Sequence, residues 1–457
     1  MPLPPDTKIK NRTVFSLKTY ATNLSLSLFL CIAFHFLSFT YAGKKFEEKD
    51  AYGQGFKEAI HAIPVNKVML GGKMVRIKAG YLHGVTKGSV YVAYNKEKII
   101  HPNAPTFVIT NVRTFSSDGE VQCGSFSEDD LVIEETHVYP YKPIKIFCKA
   151  SFLKDETLLK EIAEEAGKIP GFEITDIQKE SDITLFVVRP KIVHSAPVYE
   201  SAAHTLPMSY ERESPEVWIL PTTKKPSHKY LRIGMENTRQ GIQSLLGNLR
   251  KMLHIREVKK IASPQHKTKA IDLQTIIMNP EDSCEGKSDC ITLPNGKSFK
   301  KNGIYSPSSM EGKNLVPGQM ITFLLTNNSA NSLYCQLVNI SSDGKIETIY
   351  PDAAHNSNAA MIKAGEILDI SDEAGVFLNC TGEETIKLFA TKEPFNTSLL
   401  EQSAYESKDI TYYFDLHEAI HTSDTYTTPE AIINSFECND WEIEHYSFYV
   451  KELKPLP

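Results

Sequence analysis

The sequence lacks the short motifs that mark most enzyme classes. It has no G-x-x-x-x-G-K-[ST] phosphate loop, no G-x-S-x-G nucleophile elbow and no dinucleotide-binding fingerprint. Metal-ligand spacing is scarce too, since only His417 and His421 stand four residues apart on a possible helix turn, without an obvious third ligand. Two such histidines are usually surface residues. We therefore expect no cofactor and no metal, with His417 and His421 as the one candidate metal pair.

Cysteine is sparse. Eight cysteines in 457 residues are too few for a disulfide-built miniprotein, but they suffice for one or two bridges in an oxidising compartment. Cys284 and Cys290 flank a short polar loop and are the first predicted pair. Cys335 and Cys380 fall on predicted strands, where they either pair or remain buried thiols.

The chain also lacks any excess of positive charge. Its net charge is −6, with 23% charged and 41% hydrophobic residues, which excludes wholesale disorder. An acidic chain gives no electrostatic footprint for nucleic acid, so no nucleic-acid partner is expected. One basic cluster is interpreted as a solvated helix end and the loop after it, because cations complement the helix dipole there. Its members are Lys251, Arg256, Lys259, Lys260, Lys267 and Lys269.

The N-terminus predicts export. Four basic residues precede an apolar run at about residues 24–39, which ends at Thr40-Tyr41-Ala42. This order is typical of a secretory signal, with cleavage after Ala42. The alternative is an uncleaved inner-membrane anchor, since the run approaches the roughly 20 residues that span a bilayer. The expected location is the periplasm, the cell envelope or the extracellular space, and only the anchor alternative involves a membrane.

Changes in hydrophobic periodicity divide the chain into modules and predict a multidomain α+β fold. We expect a signal peptide or anchor at 1–42, a small β-rich, barrel-like module at 43–142, a central α+β domain at 143–278 with a Pro-rich insertion at 194–229, a linker with a cysteine loop at 279–314, a β-sandwich at 315–398, and an aromatic-rich tail at 399–457. The central domain rests on a helix at 155–166 and a second helix from Asn237. The apolar stripe of the second helix is predicted to be core.

The β-sandwich prediction rests on alternation of apolar and polar residues. Ser342-Asp343-Gly344-Lys345 supplies a hairpin turn between two such runs. We expect residues 315–398 to fold alone, with Leu337 pointing inward and Lys387 facing water.

Three blocks of this module resemble an uncharacterised domain of bacterial proteins. They are LYCQLVNISSDGKIETIYPD at 333–352, IKAGEILDI at 362–370 and GEETIKLFATKEPF at 382–395. In that family the domain commonly lies C-terminal to a caspase-like cysteine peptidase domain. A further block, RIKAGYLHGVTKGSVYVAY at 76–94, is similar to a segment found between the two. The resemblance implies an architecture and a context, and it brings no catalytic residues.

The peptidase domain itself is not recognised. Related peptidases carry a His-Gly segment and an Asp-x-Cys-x-x-Gly-like segment, which His83-Gly84 and Asp282-Ser283-Cys284-Glu285-Gly286 superficially echo. However, no hydrophobic strand leads directly into Cys284, Glu285 disfavours a thiolate, and Cys290 offers a disulfide partner. Cys284 with His83 thus remains the minor, catalytic alternative.

The sequence favours a non-catalytic exported protein that acts by binding another macromolecule, expected to be a protein. The alternatives are a divergent caspase-like cysteine hydrolase and a membrane-anchored scaffold.

Overall fold

The computed structural model describes residues 62–94, 103–194, 196–199, 206–221, 231–263, 269–293, 295–351, 360–394, 396–408 and 441–451. All of them belong to one compact unit, Tyr52–Pro457. The structure is mostly β, with 44% strand and 18% helix, arranged as a six-stranded barrel and several sheets. The prediction of a multidomain α+β fold with a central α+β domain is therefore wrong.

The first module is a closed barrel with the strand order β1-β2-β5-β4-β3-β6. Its strands are β1 (Ile63–Met69), β2 (Met74–Ile77), β3 (Val90–Ala93), β4 (Thr106–Val112), β5 (Ser117–Cys123) and β6 (Leu131–Thr136). Alternate residues such as Val75 and Ile77 point inward and are fully buried. Gly119 allows the strands to approach, because a Cβ there would lie 2.3 Å from the Phe107 ring.

The second module is a five-stranded sheet with the order β13-β12-β9-β7-β8, in which β7 runs parallel to β8 and β9. Its elements are β7 (Ile144–Ala150), α1 (Glu156–Gly167), β8 (Phe172–Thr175), β9 (Ile183–Val188), the small hairpin β10 (Ile192–Val193) and β11 (Ala196–Pro197), β12 (Glu216–Pro221), β13 (Leu231–Gly234) and α2 (Thr238–Lys260). Helix α2 begins at an N-cap, where the Asn237 side chain accepts the Gln240 N–H at 3.3 Å.

The third module is a sandwich of two sheets, ordered β15-β16-β14-β18-β22 and β17-β25-β24-β19-β20; β23 adds to β18 and β21 adds to β19. Its elements are β14 (Ile271–Glu281), β15 (Cys290–Thr292), β16 (Ser298–Tyr305), α3 (Pro307–Met310), β17 (Asn314–Leu315), β18 (Met320–Asn327), β19 (Leu333–Ile340), β20 (Ile346–Tyr350), β21 (Met361–Ile362), β22 (Ile367–Asp369), β23 (Val376–Phe377), β24 (Gly382–Thr391) and β25 (Trp441–Val450).

The helices do not make the core of a separate α+β domain. Residues of α1, α2 and the five-stranded sheet share one buried cluster with Val338, Phe389 and Ile443 of the sandwich. Helix α2 thus lies between two sheets. Strand β14, which local pattern placed with the central domain, pairs along its length with β18 inside the sandwich.

Among the described residues, no helix is long and apolar enough to cross a membrane. The predicted signal or anchor at 1–42 lies outside the described residues.

Candidate functional site

The predicted cysteine pair closes the loop between β14 and β15, with Cys284 in the loop and Cys290 as the first residue of β15. Cys284 and Cys290 form a disulfide with their Cα atoms 5.2 Å apart. A bonded sulfur carries no thiolate, so Cys284 in this state cannot act as a nucleophile. His83 lies in the barrel, where its Nδ1 accepts the Gly80 N–H at 3.1 Å and burial lowers its pKa to about 4. The two residues of the catalytic alternative therefore stand in different modules.

Two further candidate cysteines lie in the part of the chain that the structure describes. Cys335 and Cys380 are free cysteines in the sandwich, and burial raises the pKa of Cys335 to about 12. Burial also raises the pKa of Cys380. His417 and His421 lie outside the described residues. In the part of the chain that the structure describes, no group of three or more His, Cys, Asp or Glu residues could hold a metal ion.

Charged side chains are instead gathered around helix α2, at contacts that we call the junction. The prediction of a solvated basic cluster is wrong for Lys251 and Arg256, which are 4% and 2% exposed. The reason is that α2 is enclosed by the five-stranded sheet, the sandwich and the chain segment 396–408. The second half of α2, from Lys251 to Val258, is mostly buried, so its cations lie in the interior, where each needs a partner.

One contact of the junction joins α2 to the end of the barrel. His137, just beyond β6, holds Glu134 Oε1 at 2.9 Å from Nδ1 and Glu257 Oε2 of α2 at 2.8 Å from Nε2. The contact between Nε2 and Glu257 is an ion pair. Burial alone would lower the pKa of His137, but the two carboxylates raise it to about 10. The positively charged His137 therefore joins Glu134 of the barrel to Glu257 of α2.

The chain that leaves the barrel is held by two cations of α2. Arg256 Nη1 donates to the Lys142 carbonyl at 2.9 Å, and the Lys260 ammonium lies 4.0 Å from the centre of the Tyr141 ring. Just after the helix, the Ala262 N–H donates to the Tyr81 hydroxyl at 3.2 Å. These contacts fix the direction of α2 relative to the barrel.

A second contact joins the end of α2 to the sandwich. Lys387 of β24 is 0% exposed, and its Nζ donates to the carbonyls of Val258 at 2.8 Å and Lys259 at 2.9 Å. It thereby satisfies two carbonyls of the last helical turn. Lys259 in turn pairs with Glu383 at 2.8 Å. The prediction that Lys387 faces water is wrong, because α2 covers that face of the sheet.

The electrostatics of this second contact follow from its burial. Desolvation, together with the nearby positive charge of Lys259, lowers the pKa of Lys387 to about 7. A neutral amine is a nucleophile in principle. Here it is enclosed between helix and sheet, so a substrate has no route to it.

The third contact is made by residues 396–408, which we call the strap. The Asn248 side-chain amide forms hydrogen bonds with both backbone groups of Glu406. Its Nδ2 donates to the Glu406 carbonyl at 2.7 Å, and its Oδ1 accepts from the Glu406 N–H at 2.9 Å. Lys251 Nζ donates to the Ala404 carbonyl at 2.8 Å. The strap thus supplies partners to polar side chains that α2 would otherwise bury alone.

Sequence reasoning missed the junction, although one signal was present. Lys387 shares its face of β24 with Phe389, and an aromatic residue beside a lysine indicates that the face is covered. The contacts of the junction are structural, since its charged groups are bonded either to opposite charges or to backbone carbonyls of neighbouring elements. It holds the barrel, the five-stranded sheet and the sandwich together.

No protein-family model matches this chain, and neither does any curated protein or solved structure. The likeness of the blocks at 76–94, 333–352, 362–370 and 382–395 to a caspase-associated domain therefore stays a prediction.

Proposed function

We propose that the protein is a non-catalytic exported protein that acts by binding another protein. The observation that carries this proposal is the disulfide between Cys284 and Cys290. Such a bond persists in oxidising compartments outside the cytosol. The same bond removes the one thiol that the sequence offered as a peptidase nucleophile.

The junction supports a binding role. A protein that presents a surface from several modules gains affinity when those modules are fixed before the partner arrives. Here Glu257, Lys259 and Asn248 of one helix hold the barrel, the sandwich and the strap respectively. These contacts join the modules to one helix, which supports a body that is pre-organised for binding.

The test compares hydrolysis with and without the disulfide. Purified residues 43–457 are assayed on a peptide library in oxidised and reduced form, beside Cys284→Ser. Cys123→Ser is the matched control, since Cys123 is an exposed free cysteine. We expect no hydrolysis from any sample. Cleavage that appears on reduction, persists in Cys123→Ser and disappears in Cys284→Ser would establish the hydrolase alternative.

Export and binding are tested in cells. N-terminal sequencing of the mature protein should find Gly43 as the first residue, whereas an intact leader would favour the membrane-anchored scaffold. Chemical crosslinking of the full chain should then recover a specific protein partner. A chain with Lys387→Asp, which breaks the junction, should lose that partner. Equal recovery by both chains, or none by either, would contradict the proposal.

A further inference from the structure

The C-terminal strand β25 is attached to its sheet very unevenly on its two sides. It pairs with β24 along its whole length, from Gly382 opposite Val450 to Thr391 opposite Trp441. On its other side it pairs with β17 where Asn314 and Leu315 lie opposite its last two residues, and the Gly312 N–H just before β17 donates to the Ser447 carbonyl at 2.8 Å. The strand therefore fills a slot whose long wall is β24, and it can leave the slot without breaking any other strand pair of comparable length.

The slot cannot remain empty. Trp441 and Ile443 belong to the buried cluster around α2, while Tyr446 and Phe448 belong to the sandwich interior. Loss of the strand would expose both cores and the backbone ladder of β24. Whenever β25 leaves, another strand must take its place.

Polar contacts make the slot selective for the sequence of β25. The Tyr446 hydroxyl meets the Thr275 hydroxyl in the sandwich interior. At the other end of the strand, Glu442 Oε2 accepts the Ala270 N–H at 2.8 Å, and Glu444 lies 2.5 Å from the Lys269 ammonium. An unrelated strand would remove these partners from the Thr275 hydroxyl and the Ala270 N–H, while Lys269 would keep only its contact with Asp272. The occupant that fits is a second copy of β25.

The chain between the strap and β25 is long enough to reach another molecule. Lys408 and Trp441 are separated by residues 409–440. At 3.3–3.6 Å per residue, a chain of this length spans at most on the order of 100 Å. We propose that the slot between β17 and β24 accepts β25 of a second copy of this chain, which gives a strand-exchanged dimer. This interaction does not depend on the export or the partner proposed above.

Mass action sets the conditions for exchange. A strand tethered to its own slot competes at an effective concentration of about a millimolar or below. Exchange is therefore favoured when copies fold together at high concentration, and the monomer is favoured on dilution. The experiment refolds mixed variants from urea at the highest soluble concentration.

The test places one cysteine on each side of the slot in different molecules. Thr385 and Ser447 lie opposite each other, with their hydroxyls 2.9 Å apart. In a Cys123→Ser background, a tagged Thr385→Cys chain is refolded with an untagged Ser447→Cys chain under mild oxidation. The expected product is a disulfide-linked dimer of one tagged and one untagged chain. Thr385→Cys with Tyr449→Cys is the mismatched control, since Tyr449 lies opposite Glu383.

Three results overturn the proposal. The first is that a single chain with both Thr385→Cys and Ser447→Cys, the cis double variant, closes its disulfide while the mixed chains give no linked dimer. The second is equal linkage by the matched and mismatched pairs, which indicates random collision. The third applies if the cis pair does not close: native mass spectrometry of the refolded wild-type chain then counts dimers directly, and monomer alone refutes exchange.

Discussion

Replacing Lys387 tests the junction at its most buried charge. Lys387→Met removes the donor to the Val258 and Lys259 carbonyls but also removes a buried amine from the interior. Lys387→Asp is harsher, because it sets a carboxylate against two carbonyl oxygens, with Glu383 nearby. We expect Lys387→Asp to destabilise the fold by about 3–5 kcal/mol, a large part of a typical stability margin.

The pH dependence gives the sharper prediction. Lys387 has a pKa of about 7 when folded, against 10.5 for an ordinary lysine. Between these values the unfolded chain binds the proton and the folded chain does not, so this group makes stability rise with pH. A drop of this size corresponds to as much as about 5 kcal/mol. The facing charges are Lys259 and Glu383 on one side and His445 opposite on β25.

The assay is urea unfolding of the full chain at intervals from pH 6 to pH 10. The stability of wild type relative to Lys387→Met should increase with pH above about 7. Lys363→Met, at an exposed lysine, should differ from wild type by a constant amount. If the difference in unfolding free energy between wild type and Lys387→Met does not change with pH, the lowered pKa of Lys387 is refuted.

Three further predictions concern other parts of the fold. His137→Gln should cost a few kcal/mol below pH 6.5 and little above pH 10, because its raised pKa contributes stability that is lost as pH rises through about 10; urea melts at both ends check this. Burial raises the pKa of Glu384 to about 7, so the folded chain binds a proton there that the unfolded chain has released, and stability should fall as pH rises from 4.5 to 7. Glu384→Gln should abolish this fall, and urea melts of the variant that still show it would contradict the prediction. The isolated fragment 315–398 should not fold alone, because β14 and β25 lie outside it, and a cooperative urea transition would show the reverse.

Local pattern predicted the elements of the sandwich better than their partners. The turn at Ser342–Lys345 does join two antiparallel strands, β19 and β20, and Leu337 is fully buried. Both features depend on residues close together in sequence. The partners of β14 and β25 could not be read in this way, because strand pairing across long separations is decided by the whole fold.

The burial of Lys387 shows the same limit. Its carbonyl partners lie 128 and 129 residues away in the sequence. The alternating pattern correctly placed Lys387 on the opposite face of the sheet from its neighbours Ile386 and Leu388. However, the pattern cannot tell whether that second face meets water or a helix. The expected α+β core failed for a related reason. The helices were predicted, whereas their enclosure between two sheets was not.

The most direct test of the proposed function is the state of Cys284 in protein taken from its native cells without reduction. Free thiols are blocked at lysis, and the Cys284 peptide is then identified by mass spectrometry. We expect a peptide joined to Cys290 through a disulfide, in a protein whose N-terminus is Gly43. A blocked, free Cys284 in protein with peptidase activity, lost when that thiol is alkylated, would contradict it.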